Sequence, residues 1–196
     1  MTAEILTFDR ALEAASVCWW LLMAVWLILA FSIKRAKQRE TAAERLQHLI
    51  PVALGFWLLF GTNPHWSWLR LPLLPQVPNI WLVGLLLTAL GVAIAISARF
   101  SLGANWSGSV TLKSGHELIR RGLYRWIRHP IYSGILLGMI GTAIIQGRLR
   151  ALLGILVVWF SFYLKARREE RFLKQEFGPG FDEHARHTGM FLPKFS

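Results

Sequence analysis

Apolar residues in this chain come in long uninterrupted blocks rather than at helical or strand spacing. Ala14–Ile33 runs without a charge. At about 1.5 Å per residue that length crosses a hydrocarbon core of about 30 Å. Leu46–Leu69 is charge-free and densest from Leu49 to Gly61. Leu71–Ala98 is charge-free and densest from Ile80 onwards. His129–Gly147 lacks Lys, Arg, Asp and Glu, as does Ala151–Leu164. The last block is short, so it is expected either to tilt little or to extend into Lys165 and Arg167, whose long stems can snorkel. The pattern predicts an all-α polytopic membrane protein with five transmembrane helices. The fourth and fifth form a tight antiparallel hairpin about Arg148-Leu149-Arg150. A buried core helix of a soluble protein explains one such block, not five in 196 residues. The stretch leading into the first block carries Glu4, Asp9, Arg10 and Glu13. That net negative start suits a retained helix rather than a signal peptide.

Composition sharpens this picture. Hydrophobic residues make up 54% of the chain and charged residues 17%, with a mean hydropathy of +0.41. Disorder needs the opposite balance. The single cysteine, Cys18, excludes a disulfide scaffold or a cysteine-built zinc site and is read as packing in the first span. Lys and Arg number 22 against 11 acidic residues. Five of the 22 fall in Lys34–Arg45, six in Arg99–Arg128 and seven from Lys165 onwards, leaving only Arg10, Arg70, Arg148 and Arg150 for the other side. The positive-inside rule then puts the N-terminus outside and the C-terminus in the cytoplasm. Topology thus accounts for the high pI without a nucleic-acid partner, and anionic lipid head groups are the expected neighbours of the basic segments. For a chain of this length a bacterial or archaeal cytoplasmic membrane is the expectation, with the endoplasmic reticulum as the alternative. It reads as a single domain, with three N-terminal spans over 1–98 and a loop, helical hairpin and C-terminal cap over 99–196.

The unusual chemistry lies on the basic side. Phe100–Arg128 is too polar to span, and its Gly, Asn and Ser predict a compact loop carrying Trp106, His116 and Tyr124. Arg128-His129-Pro130-Ile131-Tyr132 opens the fourth span. Proline suits the first turn of a helix, whose free N–H groups favour an anion such as a carboxylate. His129 and Tyr132 are three apart and share a face. Lys165 and Glu169 are four apart on the tail helix, and the neighbouring pair Glu169-Glu170 needs solvent or partners so near a membrane. Gly178-Pro179-Gly180 breaks that helix, and Phe181–Ser196 is expected to fold back as a cap. His184 and His187 lack the spacing of a zinc helix and are taken as surface residues, with no metal site.

Together these stretches resemble the isoprenylcysteine carboxyl methyltransferase family, which groups with the phospholipid methyltransferases. The likeness rests on Gly115-His116-Glu117-Leu118-Ile119, on Gly122-Leu123-Tyr124-Arg125-Trp126-Ile127-Arg128-His129-Pro130-Ile131-Tyr132-Ser133-Gly134, and on Glu169-Glu170 and Phe177-Gly178. It covers roughly Asn105 to Pro193. The resemblance implies S-adenosyl-L-methionine as methyl donor, released as S-adenosyl-L-homocysteine. Its contacts would be His116, Glu117, Leu118, Ile119, Tyr124, His129, Pro130, Ile131, Tyr132 and Glu169. The family's substrate-orienting arginine falls on Lys165, which keeps the charge but loses the planar bidentate grip; Arg128 or Arg167 would supply a fork instead. Of the cofactor's charges, the carboxylate suits the helix start at Pro130, the ammonium suits Glu169, and the sulfonium suits an aromatic face such as Tyr124 or Trp106. The implied reaction is methyl transfer to a lipophilic acceptor, such as an isoprenylcysteine α-carboxylate. A carboxylate needs no base, whereas a phospholipid amine would need one, with Glu170 or a histidine the candidate. Thiol methylation is a further acceptor class. Outside methyl transfer, the alternatives are a non-catalytic membrane scaffold or transporter component, or a nicotinamide-dependent reductase.

Overall fold

The computed structural model describes residues 6–30, 42–61, 66–103 and 118–194. His116 and Glu117 lie outside the described residues, as do Trp106 and most of the basic loop after the first span. The described residues form six α-helices: α1 Phe8–Ala30, α2 Ala42–Phe60, α3 Pro78–Leu102, α4 Pro130–Gln146, α5 Leu149–Phe177 and α6 Pro179–His187. The described residues contain no strand, only two isolated bridges.

Among the described residues, three helices are long and apolar enough to cross a membrane, namely α1, α3 and α5. The other two apolar helical stretches, Arg45–Phe60 and Pro130–Gln146, are shorter. Large apolar side chains such as Trp20, Leu27, Leu86 and Phe160 stand more than half exposed, as expected where the solvent is lipid.

The helices differ from the charge-free blocks at their ends, for local reasons. α1 begins at Phe8, so the polar Asp9 and Arg10 join its first turn. The second block ends as helix at Phe60; Ser67–Arg70 forms a separate 3-10 turn, so charge-free sequence there is not continuous helix. In the third block Pro72, Pro75 and Pro78 delay the helix until Pro78 takes the first position. α5 does not stop with the apolar block at Leu164 but continues through the charged stretch to Phe177. Gly178, at φ 49°, then turns the chain into Pro179.

α3 and α4 pack backbone to backbone. A Cβ at Gly91 would fall on Gly138, one at Gly134 would lie 2.6 Å from the Ala95 nitrogen, and one at Gly141 would fall on Thr88. Such small-residue faces let membrane helices approach without large side chains. Buried hydroxyls complete the contact: Trp19 Nε1 donates to Thr142 Oγ1 (3.0 Å), Thr142 to the Gly138 carbonyl (3.0 Å), and Thr88 to the Gly84 carbonyl (2.9 Å). α2 packs on α5 through Gly55 and Gly154. At the end of α2 remote from the tail, Arg150 donates to the Gly61 carbonyl and to Gln146 Oε1 (3.2 Å), and Gln146 Nε2 donates to the Leu59 carbonyl (3.1 Å). A buried cation there satisfies the helix's orphan carbonyls and its dipole.

Candidate active site

The start of α4 meets the charged part of α5, beyond its apolar length. Pro130 occupies the first turn of α4, which makes His129 the N-cap. His129 and Tyr132 stack, with ring centroids 5.5 Å apart and planes 7° apart. Tyr132 stacks in turn on Phe162 of α5 at 4.6 Å. Two helical turns on from Phe162, α5 brings in Glu169 and Glu170.

Both carboxylates turn to the one histidine. His129 Nδ1 lies 3.3 Å from Glu169 Oε2, and Nε2 lies 3.2 Å from Glu170 Oε1. Neutral imidazole carries one N–H, so only the imidazolium can donate to both. Burial pulls the His129 pKa down, but hydrogen bonds and charge from Glu169 and Glu170 outweigh it and raise the pKa. The carboxylates respond in kind. Burial pushes Glu169 up, yet the His129 bond, the Lys165 charge and the Tyr132 bond hold it below the usual carboxylate range. Glu170 is held down likewise, against its burial, by His129 and Arg128. Tyr132 donates to Glu169 Oε1 at 2.7 Å and Arg128 Nε to Glu170 Oε1 at 2.7 Å. Tyr124 is buried nearby; burial and the Glu169 charge raise its hydroxyl above its ordinary pKa, so it stays protonated.

The chain after α6 closes over this cluster. Arg128 N donates to the Gly189 carbonyl (2.8 Å), His129 N to Met190 (3.1 Å) and Ser133 Oγ to Phe191 (2.6 Å). The Phe191 ring then sits 6.1 Å from that of His129. Arg128 also donates to the carbonyls of Ala185 (3.3 Å) and Thr188, so its guanidinium ties the tail to Glu170. Arg167 is exposed on the outer side of α5. His184 is buried rather than at the surface, on the inner side of α6 with Phe181 and next to buried Thr188, where the tail turns back; His187 is exposed.

Of the residues singled out from sequence, Tyr124, His129, Tyr132, Glu169 and Glu170 therefore come together. Pro130 is fully buried, while Ile119 and Ile131 pack with Tyr124 in one apolar cluster. Leu118 stands at the edge of the described segment, half-buried. Phe162 and Phe191 were not singled out. For Phe162 a signal existed: Phe162, Lys165 and Glu169 recur at three- and four-residue spacing and so share a helix face. Phe191 reaches the site only through the tail's path.

On the other side of Lys165 a groove of about 630 Å³ opens between α2 and α5. Pro51, Leu156, Val157 and Phe160 give it an apolar length, and His48, Ser161, Lys165 and Arg168 a polar end. Lys165 is buried at that end, one turn after Ser161 and one turn before Glu169 on α5.

Residues 80–180, just over half of the chain, match the model of the family described as phospholipid methyltransferase. The chain belongs to the phospholipid methyltransferase family. A probable protein-S-isoprenylcysteine O-methyltransferase of Oryza sativa subsp. indica is 32% identical over 127 residues, covering 62% of this chain and 66% of the relative. A cobalt-zinc-cadmium resistance protein of Cupriavidus metallidurans is 36% identical over 120 residues, covering 59% and 53%. The solved structure of a eukaryotic intramembrane Ras methyltransferase, isoprenylcysteine carboxyl methyltransferase, shares the fold at a TM-score of 0.55 and 22% identity, over 80% of this chain and 54% of that one. The chain thus spans between about half and two thirds of the length of these proteins.

Proposed function

We propose that this member of the phospholipid methyltransferase family transfers a methyl group from S-adenosylmethionine to a lipophilic acceptor with an anionic head, of the prenylcysteine α-carboxylate type. One observation carries the reading: Lys165 lines the apolar groove and stands one helical turn before Glu169 of the carboxylate–aromatic cluster on α5. A chain-binding groove and a cation-binding cluster therefore share one buried lysine. The names of the prenylcysteine-methylating relatives point the same way.

The donor set suits the cofactor. Glu169 and Glu170 offer charge to an ammonium, and Tyr132, Phe162 and Phe191 offer π faces to a sulfonium. The first turn of α4 offers N–H groups to a carboxylate. When bound, S-adenosylmethionine supplies an electrophilic methyl group on sulfur. The chain's residues supply position and dryness. Glu169 holds the cationic side, with its carboxylate fixed by Tyr132 and His129. Lys165 holds the acceptor's carboxylate, already ionised near neutral pH, so no base is required. The tail over His129 keeps water from the cluster. Arg128 serves as the tie that holds the tail, with its guanidinium bonded to Glu170 and to the carbonyls of Ala185 and Thr188.

In the same reading α2 and α4 complete five crossings, with the N-terminus outside and the cluster on the cytoplasmic side. The balance of basic residues supports this. The single-domain division at residue 98 also belongs to the proposal: α1–α3 form the wall, and α4, α5 and the tail hold the cluster.

The test is methyl transfer by the full chain in lipid nanodiscs, using labelled S-adenosylmethionine and three acceptors: an S-prenylated N-acylcysteine, phosphatidylethanolamine and a small thiol. Label in a base-labile ester of the prenylcysteine is the expected result. Label only in the phospholipid amine or only in the thiol overturns the acceptor assignment.

A further inference from the structure

The polar end of the groove holds a residue that the proposed reaction leaves unused. His48 on α2 bonds through Nδ1 to Ser161 Oγ of α5 at 3.0 Å. The Ser161 hydroxyl also lies 3.4 Å from the His48 carbonyl. A hydroxyl has one proton. With Nδ1 as donor, Ser161 accepts from the ring and gives its own proton to that carbonyl, so two bonds form. With Nδ1 as acceptor only one forms. The first arrangement selects the tautomer whose lone pair is on Nε2. That nitrogen has no hydrogen-bond partner among the described residues, and the imidazole lines the groove. The ring is also held in place: it lies 5.7 Å from Phe162, which stacks on Tyr132 of the carboxylate–aromatic cluster.

Lys165 follows Ser161 by one turn of α5, and both line the groove. The polar end therefore presents a cation and, close by, a neutral hydrogen-bond acceptor. The complementary head group has an anionic oxygen for Lys165 and an uncharged N–H for His48. An ammonium would suit the lone pair but meets Lys165 and Arg168 as like charges.

We propose that His48 is a specificity-determining residue, its Nε2 accepting a hydrogen bond from an amide N–H beside the acceptor's carboxylate, with Ser161 fixing the tautomer. This rests on the acceptor reading above. An acylated α-amino carboxylate on an apolar chain satisfies it; the same chain ending in a plain carboxylate does not.

The test pairs S-farnesyl-N-acetylcysteine with S-farnesyl-3-mercaptopropionate, which keeps chain and carboxylate but lacks the amide. Kinetics are measured on the wild type, His48→Phe and His48→Gln, with S-adenosylhomocysteine affinity as the check on folding. One hydrogen bond predicts a preference of about 5- to 10-fold in kcat/KM for the amide, lying mainly in KM. His48→Phe is expected to remove the preference and leave S-adenosylhomocysteine affinity unchanged. His48→Gln, which keeps an acceptor oxygen, is expected to restore part of it. Ser161→Ala, which frees the tautomer, is expected to reduce the preference and carries the test if His48→Phe fails to fold. Equal preference in wild type and variants overturns the role of His48. Transfer to neither compound by protein that binds S-adenosylhomocysteine overturns the acceptor reading itself, and the inference with it.

Discussion

His129 is held between Glu169 and Glu170, and that geometry sets a pH window. Its folded pKa is raised above the ordinary 6.5, so its stabilisation is full below 6.5 and is lost as pH rises through the raised value. The two carboxylates have folded pKa values below the ordinary 4.5, so theirs is full above 4.5 and is lost as pH falls through the lowered values. The melting temperature in detergent, followed by tryptophan fluorescence, should therefore plateau between these limits. His129→Gln should flatten the alkaline limb; an unchanged alkaline limb would contradict the ion-pair assignment. Lys165→Ala should raise the acceptor KM by about 10- to 100-fold, the range for a charged hydrogen bond, and change S-adenosylhomocysteine affinity little. Loss of cofactor affinity alone would remove Lys165 from its acceptor role. At this scale the Arg-His-Pro-x-Tyr and Glu-Glu residues were legible because each motif is local. The dual engagement of His129 was not, since it needs α4 and α5 in register. Nor was the Arg128 tie, which depends on where the tail returns.

Between elements, the α3–α4 contact is made by glycine. Gly134 and Gly138 are four apart on α4 and meet Gly91 and Ala95 of α3. Read only as an apolar block, α4 looks like a plain span; read for small residues, it carries a packing face. Gly91→Leu puts a side chain into the Gly138 backbone, where no flexible neighbour can yield. It should cost more than the roughly 1–3 kcal/mol of ordinary overpacking and abolish monodisperse protein on size-exclusion chromatography. Arg150→Met strips the Gly61 carbonyl and Gln146 Oε1 of their donor, while Gln146 Nε2 keeps its bond to the Leu59 carbonyl. A loss of about 1–3 kcal/mol is expected in chemical denaturation, without effect on S-adenosylhomocysteine affinity, because Arg150 is remote from the cluster. The boundaries of the helices were the least legible feature. Absence of charge marks what lipid tolerates, whereas Pro78, Gly147 and Gly178 decide where a helix can start or stop.

At the scale of the whole molecule, the cluster lies at the end of the bundle that the proposed topology assigns to the basic segments, so a cytoplasmic site follows from that topology. A cysteine placed at Ser67, with Cys18→Ser as background, should react in intact cells with a membrane-impermeant maleimide. One placed at Lys174 should react only after the cells are opened. The reverse pattern would invert the orientation. The membrane class was legible from hydropathy alone, and the family from motifs spread over the C-terminal half. The groove was not, because it exists only where α2 crosses α5. Binding of the methyl donor by the cluster beneath the tail is the point on which the rest depends. Its most direct test is calorimetric titration of detergent-purified protein with S-adenosylhomocysteine, with NADPH as control and Glu169→Gln beside the wild type. Saturable binding of S-adenosylhomocysteine alone is predicted, weakened at least about 10-fold in Glu169→Gln. Folded protein that binds neither ligand, or only NADPH, would contradict it.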